Sequence, residues 1–341
     1  GVLKAVRLDV LGLGRVFRCV CRDVRGHVGH LHGWNGGIVA GARKQQQSHE
    51  ERGQSLPNFI AQHQRNTRVR ATKVNVGWAN IAAVVPWLDD PGFYDDVLLT
   101  WLILAVLAFV ALQFISAPYG RHERSGWGPT VPNRIGWIVM ESPTLLVFGW
   151  LWATGQYASA PAGLALAAIW YVHYVNRTLV YPFRIRQKPG QRMPVVVAAM
   201  AFLFQLGNTY LQAAWIFRLS DRYGADWLLD PRFIGGLVLF GAGFFINLQS
   251  DSILRNLRKP GETGYKIPRG GMYEYVSCPN YLGEIVEWTG WALATWSPGG
   301  LLFAIWTVAN LAPRAATNHA WYRETFDDYP KARRRVIPFI W

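Results

Sequence analysis

Val97–Ser116 reads VLLTWLILAVLAFVALQFIS, a run of about 20 residues without one charged side chain. As a helix rising 1.5 Å per residue, such a run is about 30 Å long, the thickness of a bilayer's hydrocarbon core. Similar stretches recur at about 135–153, 161–182, 195–217, 233–250, 281–296 and 300–318, several interrupted by single polar residues. The last two are joined by the tight turn Ser297-Pro298-Gly299-Gly300. The expected fold class is an all-α integral membrane protein, a bundle of about seven transmembrane helices.

Loop charges set the expected orientation. Seventeen Lys/Arg lie in 117–134, 183–194, 251–279 and the tail after 320. The alternating loops Asp89–Asp96, 154–160, 218–232 and 297–300 hold only Arg218, Arg222 and Arg232. Positive loops stay in the cytoplasm, so the N-terminus is expected outside and the C-terminus inside. That arrangement makes a multi-pass protein of the bacterial inner membrane or the endoplasmic reticulum membrane, expected as a monomer in contact with membrane lipids. Long cytoplasmic loops are where a charged soluble ligand would enter.

The net charge of +14 invites a nucleic-acid reading. Residues 1–75 hold 13 Lys/Arg against 4 Asp/Glu, and the rest of the positive charge sits in short loops between apolar runs. Membrane orientation accounts for the second pattern, so no nucleic acid is expected. Residues 1–92 read as a poorly ordered basic extension without helical or strand period, and 93–341 as the membrane domain. Arg residues break its apolar stretches too often for a secretory signal peptide. Cys19, Cys21 and Cys278 give no disulfide framework. Cys19, Cys21, His27, His30 and His32 match no zinc spacing, so no metal is expected.

Polar residues inside the spans carry the chemistry. Glu141 stands in the apolar WIVMESPTLLVFGW, where a lipid-facing carboxylate would cost several kcal/mol. It must face the interior and either pair with a cation such as Arg177 or stay protonated and donate to a ligand oxygen. His173, Tyr174 and Arg177 fall close together on one helix, with Tyr171 and Tyr181 nearby as members of an interfacial belt. Gln205, Asn208 and Gln212 form a stripe that either lines a cavity or bonds a neighbouring helix. Asn280, Glu284 and Glu287 share a face of the sixth span. Before them, Gly261, Gly264, Gly270 and Gly271 permit tight turns, and Lys259, Lys266 and Arg269 offer partners for phosphate. This loop has the look of a cradle for an anionic cofactor, without the GxGxxG-after-strand pattern of a Rossmann unit.

The stretch NLQSDSILRNLRKPGETGYKIPRGGMYEYVSCPNYLGEIVEWTGWALATWS from Asn247, with the closing RETFDDYPKARRRVIPFIW, closely resembles the C-terminal half of steroid 5α-reductases. APYGRH at 117–122, GWIVMESP at 136–143 and HYVNRTLVYP at 173–182 fit in the same order, so the resemblance, to a bacterial-type member, spans about 100–341. It implies a seven-helix fold, NADPH as hydride donor and a 3-oxo-Δ4 steroid as substrate. Carried over by motif, Glu141 and Tyr174 hold the 3-keto oxygen, hydride reaches C5 and C4 takes a proton. The implied cofactor residues are Tyr119, Arg121, Trp137, Arg177, Lys188, Asn247, Asp251, Arg258, Tyr265, Lys266, Asn280, Glu284, Asn318 and Tyr322. Asn318 stands where the animal enzymes have histidine, Ile185 where they have asparagine and Lys188 where they have arginine.

Three other readings compete. A reductase of a polyprenol, sterol or enoyl thioester would share the residues. A methyltransferase using S-adenosylmethionine would leave the paired Glu141 and Tyr174 without a carbonyl to serve. A seven-span transporter or receptor would leave the Gly-rich basic loop unexplained. Deletion of residues 1–75 should leave turnover nearly unchanged, as read by product formation at saturating substrate; a large loss would show that the extension is not idle.

Overall fold

The computed structural model describes residues 85–114, 126–185, 190–258, 262 and 264–341. Expectations placed on residues 1–84, on Tyr119, Arg121 and Lys188, and on Lys259 and Gly261 fall outside that set. The chain divides into two compact units, Gly1–Pro86 and Trp87–Trp341, and the description below is of the second.

The second unit is a helical bundle. Its elements are α1 (Pro91–Phe114), β1 (Thr130–Pro132), α2 (Asn133–Glu141), α3 (Pro143–Ala153), α4 (Pro161–Val175), α5 (Tyr181–Arg184), β2 (Arg192–Pro194), α6 (Val195–Ala214), α7 (Pro231–Asn256), α8 (Pro279–Thr295) and α9 (Pro298–Thr325). Helices occupy each of the seven apolar stretches. Among the described residues four are long and apolar enough to cross a membrane: Pro91–Phe114, Asn133–Ala153, Val195–Leu219 and Pro231–Asn256. On that measure this is a helical membrane protein. Large apolar side chains on α1, including Leu99, Val106 and Leu107, are more than half exposed, as suits a helix facing lipid.

Boundaries depart from the sequence reading where local chemistry intervenes. α1 begins at Pro91, six residues before the uncharged run, so Asp95 and Asp96 are helical and not loop. Asp90 makes this possible by accepting from the backbone N–H groups of Gly92 and Phe93, the donors a helix start leaves free. The expected span at 135–153 is broken after Glu141. Pro143 has no N–H for the Val139 carbonyl, which accepts from Ser142 Oγ at 2.8 Å instead, and Thr144 Oγ1 donates to the Glu141 carbonyl at 2.6 Å. The last turn of the third span is a π-helix, Asn176–Val180, carrying Arg177. The link between α8 and α9 is shorter than expected. Trp296 ends α8 with a left-handed φ of 46°, Ser297 caps α9 by accepting from Gly300 N–H, and Pro298 is already helical.

Loops gather into two sets. In one, Arg218 pairs with Asp89, Gln156 donates to the Arg218 carbonyl, Arg222 donates to the Trp296 carbonyl and Tyr223 donates to the Thr295 carbonyl. In the other, β1 and β2 pair antiparallel with Val131 opposite Met193, and Val276 bridges Arg334 of the C-terminal tail. The interior is aromatic, with Trp170, Trp291, Phe148, Phe217 and Tyr174 at 0–2% exposure.

α7 and α8 form the tightest pair. A Cβ on Gly236 would lie 2.4 Å from Ala294 N, and one on Gly243 2.3 Å from Glu287 N. Gly283 and Gly290 meet the α7 backbone as closely, so the two backbones touch. This contact sets Asn247 and Asp251 against Asn280 and Glu284. Gly243→Ala should lower stability by about 1–3 kcal/mol, the usual cost of overpacking, and should move these polar residues apart. Thermal unfolding in detergent checks it; an unchanged midpoint would mean that the helices part at no cost.

Candidate functional site

Glu141 is the last residue of α2, 5% exposed, beside the break made by Pro143. Two groups from other helices reach it. Gln205 Nε2 on α6 donates to Oε2 at 2.8 Å, and Arg177 Nε lies 3.5 Å from Oε1. The alternative that Glu141 pairs with Arg177 is therefore met in the geometry. Arg177 is not Glu141's alone, since its Nη1 is 3.6 Å from Glu284 Oε1 and Asp251 also feels its charge. One guanidinium serves three carboxylates.

Arg177 is held flat by aromatic faces. Its guanidinium lies 4.9 Å from the Trp137 ring centre and 5.3 Å from that of Tyr181, and Trp137 Nε1 donates to the Arg177 carbonyl at 3.1 Å. Tyr181 thus belongs to the site and is more than an interfacial anchor. Tyr171 instead donates to the Leu145 carbonyl.

Tyr174 is 2% exposed and packed on Trp170, His173 and Trp288, with its hydroxyl facing Gln205 and Glu141. His173 turns the other way. Its Nδ1 lies 2.6 Å from Glu287 Oε1, and Glu287 is wholly buried. Glu287 follows Asn280 and Glu284 on the same regular helix, one turn deeper, where it meets His173 of α4.

Asn247 Nδ2 donates to the Asn280 carbonyl at 3.1 Å and reaches Glu284 Oε1 at 3.5 Å. Asp251 is bonded by Asn280. Trp137, Glu141, Tyr174, Arg177, Asn247, Asp251, Asn280 and Glu284 thus converge from α2, α4, α7 and α8. Five more of the expected residues have partners of their own. Arg258 donates to the Gly264 carbonyl, Lys266 pairs with Glu262 at 2.6 Å, and Tyr265 packs edge-on against Trp321. Asn318 donates to the Tyr281 hydroxyl, and Tyr322 stacks on Tyr329 with ring centres 5.3 Å apart. In the Gly-rich loop, Gly264, Gly270 and Gly271 have φ of 88°, 87° and 54°, which only glycine adopts readily.

Sequence reasoning counted Arg333 only as a tail charge. Its side chain is 2% exposed, with its guanidinium 5.4 Å from the Tyr329 ring centre. None of its three guanidinium nitrogens has a hydrogen bond of good geometry among the described residues. A buried guanidinium without acceptors is costly unless an anion completes it. A run of three arginines in a tail reads as a solvated patch, so no sequence signal pointed to Arg333.

Comparisons with known proteins cover most of the second unit. The family model for 3-oxo-5-alpha-steroid 4-dehydrogenase matches residues 191–341. Steroid 5-alpha-reductase DET2 of Gossypium hirsutum is 47% identical over 256 residues, 74% of this chain and 99% of that protein. Its Arabidopsis thaliana counterpart is 45% identical over 259 residues, again 74% and 99%. The 3-oxo-5-alpha-steroid 4-dehydrogenase 1 of Bos taurus is 47% identical over 241 residues, 70% of this chain and 93% of that protein.

Removing Arg177 takes the cation away from buried Glu141 and from the partly buried Glu284 and Asp251. Arg177→Leu should destabilise the protein by about 2–4 kcal/mol, less than a fully buried pair because the side chain is 24% exposed. Adding Glu284→Gln should recover part of the loss. Unfolding midpoints of the single and double variants test this, and a double variant no more stable than the single would remove Glu284 from the network.

Proposed function

The chain belongs to the steroid 5α-reductase family, and from that premise we propose that it reduces the Δ4 double bond of 3-oxo-Δ4 steroids with NADPH. The observation that carries the reading is the buried pair Glu141 and Tyr174, two groups able to donate to one oxygen, with Tyr174 packed against Trp170 and Trp288. Reduction of an enone builds negative charge on the carbonyl oxygen. Two fixed donors in a dry site stabilise that charge better than mobile water.

The residues at hand fit NADPH. Arg333 offers three unpartnered guanidinium nitrogens for an anionic group. Asn280 and Glu284 offer the donor and acceptor that a carboxamide needs, next to Asn247, Asp251 and the Trp137 ring. Arg258, Tyr265, Lys266, Asn318 and Tyr322 lie on the segments that would cover the ribose and phosphates, with Tyr119, Arg121 and Lys188 implied by the family motif. When bound, NADPH supplies the hydride that adds to C5.

The chain's own residues do the rest. Tyr174 donates its hydroxyl proton as a hydrogen bond to the 3-keto oxygen. Glu141 does the same while protonated, and a proton there suits a cluster in which one Arg177 already faces Glu284 and Asp251. The buried aromatic side chains Trp170 and Trp288 keep water from the enolate until C4 is protonated.

The same reading places seven spans in the membrane with the C-terminus in the cytoplasm, in an endoplasmic reticulum or bacterial inner membrane. Support comes from the charges of the loops, seventeen Lys/Arg on one alternating set against three on the other. The protein acts as a monomer on a lipid-borne steroid, and residues 1–92 form an extension outside the catalytic domain. A polyprenol or sterol reductase would use the same donors, so the acceptor decides between them.

Purified protein with NADPH and testosterone or progesterone should yield the 5α-reduced product by mass spectrometry. Turnover of a non-steroid enone alone would transfer the assignment to the wider reductase group. Tyr174→Phe should lose more than tenfold in kcat, since one oxyanion donor is worth roughly 2–4 kcal/mol. Glu141→Gln should retain part of the rate because an amide still donates. Full activity in Tyr174→Phe would take that residue out of the mechanism.

A further inference from the structure

The stripe on α6 resolves into a directed chain of hydrogen bonds. Trp291 Nε1 donates to Gln212 Oε1 at 2.8 Å. Gln212 Nε2 donates to Asn208 Oδ1 at 3.2 Å and to the Gly299 carbonyl at 2.9 Å. Asn208 Nδ2 faces Gln205 Oε1 at 3.4 Å, and Gln205 Nε2 donates to Glu141 Oε2 at 2.8 Å. All five bonds are buried, with Gln205 9% exposed, Asn208 2%, Gln212 1% and Trp291 0%.

An amide alone is ambivalent, because its oxygen accepts and its nitrogen donates and the two ends have nearly the same shape. Here the far end of the chain removes the ambiguity. An indole N–H only donates and a backbone carbonyl only accepts. Trp291 and Gly299 therefore hold Gln212 one way round. That orients Asn208, and Asn208 orients Gln205. Flipping any one amide would set like ends against each other in a buried site, which costs about 1–3 kcal/mol per unsatisfied group. Gln205 consequently presents N–H, and never C=O, to Glu141. Its second N–H is open to the Tyr174 hydroxyl, which it faces.

We infer that Gln205 is a positioning residue for the carbonyl donors, acting through Glu141 and Tyr174. By donating to Glu141 Oε2 it fixes the rotation of the carboxyl group, and with it the direction in which Oε1, 3.5 Å from Arg177 Nε, is presented to the 3-keto oxygen's site. By donating toward the Tyr174 oxygen, it turns that O–H outward to the same point. The inference rests on the reading of Glu141 and Tyr174 given above, and it assigns the α6 stripe, which that reading leaves unused. No bond of the substrate is made or broken by Gln205.

The test uses the full chain with NADPH and a Δ4-3-oxo steroid. Gln205→Met keeps the volume and removes the donor. It should lower kcat about tenfold or more, as misplacement of a reacting group does, with NADPH affinity and the unfolding midpoint near wild type. Gln205→Glu keeps the shape and donates to Oε2 only while protonated, so its kcat should fall with rising pH across a range where the wild type is flat. Wild-type kcat in Gln205→Met, or a Gln205→Glu profile matching the wild type, overturns the inference. So does a loss of kcat that tracks loss of NADPH binding and stability, which marks a structural role. Should Gln205→Met fail to fold, the Gln205→Glu pH profile decides alone. A wild type that reduces no such steroid fails the underlying reading instead.

Discussion

The placement of Arg177 constrains the rest of the molecule. Its guanidinium sits among Glu141, Glu284 and Asp251, which come from three different helices, and it is clamped between the rings of Trp137 and Tyr181. A cation shared by three carboxylates in a low-dielectric bundle is stable only if every partner stays in place. The helices α2, α4, α7 and α8 are therefore tied at one point. The π turn that carries Arg177, the break after Glu141 and the glycine contact between α7 and α8 each bring one partner to it.

A second network runs away from that point into the bundle. It begins at Glu141, passes along α6 and ends at the turn between α8 and α9, where Gly299 supplies a carbonyl and Trp291 an indole N–H. The two networks meet on opposite oxygens of one carboxyl group. One oxygen faces a cation and the other an amide donor, so the group has two unequal ends before any substrate arrives. The neighbouring His173–Glu287 pair is separate and locks α4 to α8 behind Tyr174. Preorganisation here is a matter of polarity as much as of shape.

Much of the helical plan was legible in sequence because an uncharged run of membrane length has few other folds open to it. The errors lie where a side chain altered a helix end. Asp90 extended α1 back over two aspartates that hydropathy had put in a loop, and Pro143 with Thr144 split a continuous apolar run. Among polar residues, Glu141, Tyr174, Arg177, Asn280 and Glu284 were conspicuous because polar groups in apolar surroundings are costly and so need a reason. Arg333 was invisible, since burial of one arginine in a basic tail depends on how that tail folds back along Val276 and Ser277.

The amino-acid sequence by itself determined that the chain would be a bundle of apolar helices with a short list of buried polar groups. These follow from transfer free energy, which each residue carries with it. Only the tertiary structure decided how the groups pair. Arg177 and Glu284 are 107 positions apart, and Gln212 and Trp291 are 79 apart. No local period encodes such distances. The direction of the α6 hydrogen-bond chain is likewise a property of its far end, set by a donor and an acceptor that meet only when α6, α8 and α9 are packed together.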